Sequence, residues 1–217
     1  MITEERIAAY IDSLDMGNTP FLNELEAEAV RTYVPVIKRP TQNLLKLLLA
    51  VRKPHNILEV GTAIGFSALL MAEYSPEPCH ITTIEKYEKR IPIAKENFRR
   101  AGREKQIELI ALDAAEALHQ LAQEKPAGYD LIFMDAAKGQ YIHFFEDVMA
   151  LLSENGVLVS DNVLQDGDIV ESRFAVTRRN RTIHARMREY LYALTHDERL
   201  TTTILPIGDG VTISVKK

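Results

Sequence analysis

From residue 54 onward, short apolar runs rich in β-branched residues alternate with longer stretches of helical periodicity. The runs are Asn56–Gly61, His80–Glu85, Ile107–Leu112, Tyr129–Asp135 and Val157–Asn162. Helical patterns lie between and after them near 64–74, 87–101, 114–124 and 138–152. The last is marked by Tyr141, Phe145, Val148 and Leu152 at helical spacing. Pro92 falls inside the second pattern, so that helix is expected to start late or bend there.

Such alternation predicts a parallel sheet with right-handed crossovers. It breaks near the C-terminus, where a long helical stretch, roughly 172–196, leads into Thr201–Ile207 and Val211–Val215. The short link Gly208-Asp209-Gly210 joins these two runs as a hairpin. The expected fold is therefore a Rossmann-like α/β domain of seven strands, mostly parallel, with an antiparallel C-terminal hairpin. The first 53 residues pattern only as helices, near 3–14, 20–33 and 41–52. With no place in the sheet, they are expected to cover its ligand edge.

A chain of 217 residues suits one such domain, and 46% hydrophobic with 26% charged residues is ordinary for a globular protein. No run of about 18 apolar residues marks a membrane span. The start, Met1-Ile2-Thr3-Glu4-Glu5-Arg6, lacks the basic-then-apolar order of a signal peptide. Cys79 is the single cysteine and has no partner for an internal disulfide. A cytoplasmic location is the expectation. The net charge of −5 argues against non-specific coating of nucleic acid but leaves room for a local basic patch.

The candidate chemistry gathers at the carboxyl ends of the runs, where ligands bind in such sheets. Ile57 to Ser67 reads as strand, glycine turn and helix start, with Gly61 and Gly65 spaced G-x-x-x-G. That spacing is neither the dinucleotide pattern nor a P-loop, which disfavours a nicotinamide enzyme or a nucleotide-phosphate site. Glu85, twenty residues after Gly65, can accept hydrogen bonds from both hydroxyls of a ribose. Asp113-Ala114 ends the third run, where an adenine would lie. Glu59 either orients a cofactor amine or the loop, or is a buried acid held by backbone amides.

Asp135 ends the fourth run and Asp161-Asn162 the fifth. Adjacent strands lie about 4.8 Å apart, so two carboxylates and an amide oxygen would converge on one edge. Singly, these residues serve as a helix cap or a turn. Together they read as hard oxygen ligands for Mg²⁺, Mn²⁺ or Ca²⁺, and no His or Cys cluster offers a zinc site. Lys138, three residues after Asp135, is placed to reach the same cleft.

The residues Leu58–Ser67 (LEVGTAIGFS), Met134–Tyr141 (MDAAKGQY), Ser160–Leu164 (SDNVL) and Pro206–Gly210 (PIGDG) resemble the metal-dependent O-methyltransferases, which include catechol and caffeoyl-CoA O-methyltransferases. The likeness runs from Val34 to the last strand. Within that family the chain is most similar to a bacterial branch, the tRNA 5-hydroxyuridine methyltransferases. The resemblance implies S-adenosylmethionine bound by Ile37, Ser67, Glu85, Asp113, Ala114 and Asp135, beside the candidates Glu59 and Gly61. It implies Mg²⁺, or another divalent cation such as Mn²⁺, on Asp135, Asp161 and Asn162. Lys138 would act on the substrate hydroxyl, with Asp135 beside it in the catalytic pair.

The substrate implied is 5-hydroxyuridine at the wobble position of a tRNA anticodon, with a small catechol or phenol as the alternative. One local feature bears on this choice. Arg173, Arg178, Arg179, Arg181, Arg186 and Arg188 crowd one segment of an acidic chain. The first four in particular suit RNA phosphates and bases, although a solvated helix face accounts for many such runs. A non-catalytic RNA-binding module is disfavoured by the intact Asp135, Lys138, Asp161 and Asn162. A homodimer is expected, because Leu44, Leu45, Leu47, Leu48 and Leu49 cover more than one helix face and an edge hairpin needs cover.

Overall fold

The computed structural model describes residues 4–172 and 174–217. Its centre is a seven-stranded sheet. In chain order the strands are β1 (Asn56–Val60), β2 (His80–Ile84), β3 (Ile107–Ile110), β4 (Tyr129–Met134), β5 (Leu152–Ser160), β6 (Leu200–Leu205) and β7 (Val211–Lys216). The spatial order is β3-β2-β1-β4-β5-β7-β6. Strands β1 to β5 are parallel, while β7 runs antiparallel to both β5 and β6. From β1 the chain winds first toward β3 and then, from β4, in the opposite direction. The crevice between β1 and β4 is thus the point at which the winding reverses.

Alternate strand residues feed two apolar layers, as a sheet buried on both faces requires. Ile57, Ile81, Leu131 and Val157 face one layer, with α2 (Pro20–Arg31), α3 (Arg39–Arg52), α4 (Phe66–Tyr74) and α5 (Ile91–Arg100). Leu58, Ile84, Ile132 and Leu158 face the other, with α6 (Ala114–Glu124), α7 (Tyr141–Leu151) and α8 (Arg181–His196). Pro92 sits in the first turn of α5, where its missing N–H has no intrahelical acceptor, so the helix starts late as expected.

Three expectations need correction. The N-terminal helices do not lie over the ligand edge. Helices α2 and α3 pack on the α4 side of the sheet through Leu22, Leu25, Leu45 and Leu49, and it is the strap 34–38 between them, with Thr41 in the first turn of α3, that reaches the edge. The helix expected over 172–196 begins only at Arg181. A 3-10 turn, Gln165–Val170, and irregular backbone come before it, so Arg178 and Arg179 are not helical. Residue 173 and its arginine lie outside the described residues. Strand β5 starts at Leu152, directly from α7, with a register irregularity opposite Tyr129 and Leu131. Asn155, in the left-handed region, and Gly156 lie within the strand rather than in a loop before it. The first helix, α1 (Glu5–Ser13), buries none of its residues.

Candidate active site

Strands β1, β2, β4 and β5 stop at Val60, Ile84, Met134 and Ser160. Glu85, Asp135, Asp161 and Asn162 therefore emerge on loops just past the carboxyl edge. A cleft of about 700 Å³ opens there. It brings together Ile37, Gly61, Ser67, Glu85, Asp113, Ala114, Asp135, Lys138, Asp161 and Asn162. Arg178, Arg179 and Arg181 are not among its lining residues, nor is Glu59.

One half of the cleft suits a nucleoside. The β1–α4 loop crosses so close to the end of β4 that a Cβ on Gly61 (φ +109°) would stand 2.1 Å from the Asp135 carbonyl oxygen. Only glycine lets the two strand ends approach in this way. The Ala63 N–H donates to Glu85 Oε2 at 2.9 Å and the Tyr87 N–H to Oε1 at 2.8 Å. A carboxylate has about four lone-pair sites, so each oxygen keeps capacity for a sugar hydroxyl. Asp113 caps α6 through the Ala115 N–H at 3.0 Å. Its partner Lys86, together with that cap, holds its carboxyl below the usual range.

Glu59 lies behind this loop, fully buried. Its two oxygens accept from the hydroxyls of Ser67 and Thr83, so side chains hold this buried acid. Burial pushes its pKa up to about 7 against the pull of those two hydroxyls. Ser67 connects Glu59 to the cleft, because Ser67 itself is a lining residue.

The other half is rich in oxygen. Lys138 Nζ donates to Asp135 Oδ1 at 2.7 Å and to Asn162 Oδ1 at 2.6 Å. Asp161 is buried and accepts from Thr41 Oγ1 at 3.3 Å. Burial, with Asp135 nearby, raises its pKa to about 6, while Lys138 pulls the other way. Among the described residues no group of three or more His, Cys, Asp and Glu side chains is gathered for a metal. The donors present are two carboxylates and one amide oxygen, with a cationic side chain already seated between two of them. That chemistry fits a hard divalent cation and not zinc.

Sequence reasoning missed three residues here. Asp209, at the tip of the β6–β7 hairpin, accepts from Asn162 Nδ2 at 2.9 Å and from the ammonium of Lys38 on the strap. Thr41 reaches Asp161 from α3. The Tyr141 phenol, buried at the start of α7, accepts from the Ala136 N–H at 3.2 Å and from Lys138 Nζ at 3.3 Å. Its own proton has two carbonyls in reach, Met134 at 3.1 Å and Asp161 at 3.3 Å, so it ties the ends of β4 and β5 together. Desolvation raises its pKa well above normal, so it stays a donor. Helical spacing had marked Tyr141 only as a core residue. The motif Pro206–Gly210 carried the signal for Asp209.

A doubly wound sheet with a glycine loop and acidic strand ends at its reversal point defines a nucleoside-binding α/β domain. The chain belongs to the O-methyltransferase family, whose model matches residues 12–217. A caffeoyl-CoA O-methyltransferase of Populus kitakamiensis is 31% identical over 171 residues, covering 78% of this chain and 73% of that protein. A catechol O-methyltransferase of Niastella koreensis is 34% identical over 127 residues, 58% of each chain. The crystal structure of an O-methyltransferase from Bacillus cereus in complex with SAH superposes with a TM-score of 0.85 at 25% identity, covering 100% of both chains.

Proposed function

We propose that this protein transfers a methyl group from S-adenosylmethionine to a hydroxyl with a second oxygen on the neighbouring carbon, assisted by a divalent cation, and that the substrate is 5-hydroxyuridine in tRNA. The observation that carries the reaction is the convergence of Asp135, Asp161, Asn162 and Lys138 beside the Gly61–Glu85 half of one cleft. Glu85 takes the ribose hydroxyls, Asp113 and Ala114 flank the base, and Ile37 offers its backbone and an apolar surface. When bound, the cofactor supplies an electrophilic methyl group and the cation supplies Lewis acidity at the substrate oxygens. Asp135, Asp161 and Asn162 hold that cation. Lys138 stabilises the developing oxyanion as an ammonium, or takes the hydroxyl proton in its neutral form. The cleft walls hold nucleophile and methyl carbon together, so proximity contributes much of the rate.

The basic segment favours tRNA over a small phenol. Arg178 and Arg179 are exposed on a loop beyond the β5 turn that carries Asp161 and Asn162. Phe174 lies 84% exposed on the same loop. Arginine and aromatic side chains together suit an unpaired RNA loop. The relatives' names favour the small-phenol reading, since caffeoyl and catechol rings present the same adjacent oxygens. The test is labelled methyl transfer to undermodified tRNA and to a catechol side by side, with Mg²⁺ and with chelator. Transfer to tRNA that stops in chelator and in Asp161→Ala supports the proposal. Catechol as the sole acceptor overturns the tRNA assignment, and full activity in chelator overturns the cation.

The proposed assembly is a homodimer. Ile7, Tyr10 and Ile11 on α1, with Leu14 at its C-terminal cap, form one apolar stripe, and each is at least half exposed. Leu47 and Val51 on α3 are exposed as well. A second copy of the chain covers such surface with the closed symmetry most common among oligomers.

A further inference from the structure

We propose that Asp209 is a positioning residue for the cation, which it serves by fixing which end of the Asn162 amide faces the cleft. This inference rests on the proposed cation at Asp135, Asp161 and Asn162.

An asparagine side chain presents an oxygen at one end and an NH₂ at the other, and only the oxygen binds a cation. The two ends are close to isosteric, so neighbours must decide between them. Here both neighbours are one-sided. Asp209 is a carboxylate that accepts, and it stands 2.9 Å from Asn162 Nδ2. Lys138 is an ammonium that only donates, and it stands 2.6 Å from Asn162 Oδ1. Turning the amide over would set oxygen against oxygen at one end and N–H against N–H at the other. Asp209 thus keeps the oxygen directed inward, whether Lys138 or a cation lies there.

Asp209 is itself held. The Leu164 N–H donates to its carbonyl at 3.0 Å, and the Val163 N–H donates to the Gly210 carbonyl at 3.0 Å. These bonds lock the hairpin tip onto the turn that carries Asp161 and Asn162. The Lys38 ammonium pairs with Asp209 Oδ1 from the opposite side. That pairing offsets the carboxylate's charge and links the N-terminal strap to the same amide. The side chain of Asp209 is 13% exposed, so water competes weakly for its oxygens.

The test reads Mn²⁺ affinity by calorimetry, without cofactor or substrate, in the wild type, Asp209→Asn and the double variant Asn162→Asp with Asp209→Asn. An asparagine at 209 offers either end, which frees the Asn162 amide to turn. Affinity is expected to fall about ten- to hundred-fold, the usual effect of losing a group that orients a metal ligand. In the double variant the carboxylate at 162 presents oxygen at both ends and the amide at 209 donates to it. Net charge is unchanged, and most of the lost affinity is expected to return. A second reading uses chelated protein. The Asn162 side-chain NH₂ resonance should show one hydrogen-bonded, slowly exchanging proton in the wild type and none in Asp209→Ala. Wild-type affinity in Asp209→Asn, no recovery in the double variant, or an unaltered amide resonance in Asp209→Ala each overturns the role of Asp209 while leaving the cation in place. A wild-type protein that binds no Mn²⁺ overturns the cation reading, and this inference with it.

Discussion

Glu59 holds a carboxyl group out of contact with solvent, and its proton affinity carries a consequence for stability. Its pKa is raised from 4.5 to about 7, chiefly by burial. Between those values the folded chain binds more protons than the unfolded chain. The stabilisation is therefore complete below the unfolded pKa and is lost as pH rises through the folded one. It amounts to at most about 3 kcal/mol. Denaturant unfolding in chelator should show stability falling from pH 4.5 to 7.5, and Glu59→Gln should flatten most of the slope above pH 6 and part of it below. Asp161, raised to about 6, should supply what slope remains. An equally steep fall in Glu59→Gln would mean that Glu59 is already ionised in the fold. Lys138 makes a separate prediction. Its ammonium contacts Asp135, Asn162 and Tyr141, so Lys138→Met should lower kcat far more than it weakens S-adenosylmethionine binding. Kinetics at saturating substrate beside a cofactor titration checks this, and an unchanged kcat would remove the lysine from the reaction.

The elements divide by how local their causes are. Strands β1, β2 and β4 were legible almost to the residue, because both of their faces are buried, whereas the half-exposed edge strand β3 ends two residues before the expected Leu112. The strand ends were legible too, since glycines and acids interrupt those runs where the cleft lies. Asp209, Thr41 and Tyr141 were not legible as site residues. Their roles depend on contacts that reach up to 171 residues away in sequence, and local pattern carries no record of the distant ones. The segment 172–180 read as helix because its apolar spacing runs on into α8. In the structure Arg181 turns back to donate to the Val176 carbonyl at 3.3 Å, and its guanidinium stands 6.0 Å from the centre of the Phe174 ring, most of which stays exposed. Arg186 and Arg188 likewise bond backbone carbonyls, those of Gly139 and Ile169. These three arginines therefore serve the fold. Neutralising Arg178 and Arg179 together should weaken tRNA binding and reduce its salt dependence, while turnover of a free nucleoside should barely change. Filter binding across a salt series decides this, and an unchanged slope would make the loop an ordinary solvated surface.

At the scale of the whole molecule, the mostly parallel sheet and the C-terminal hairpin followed from the alternation of patterns, whereas the strand order and the place of the N-terminal helices did not. Amphipathic spacing shows that a helix has a face to bury but not which surface receives it. Leu45 and Leu49 found that surface inside the chain, on the α4 side of the sheet. The stripe on α1 did not, and the proposed dimer covers it. Light scattering at micromolar concentration should give twice the 24.5 kDa of one chain, and Ile7→Glu with Ile11→Glu should return it to one. A wild-type mass near a single chain would end the dimer. The proposed reaction is methylation of a tRNA hydroxyl in the cleft of Asp135, Asp161 and Asn162. Mass spectrometry of tRNA nucleosides from cells lacking the protein tests it most directly. The account predicts that 5-methoxyuridine disappears, that 5-hydroxyuridine accumulates, and that the wild-type chain restores the methylated nucleoside while Asp161→Ala does not. Unchanged 5-methoxyuridine in those cells would contradict it.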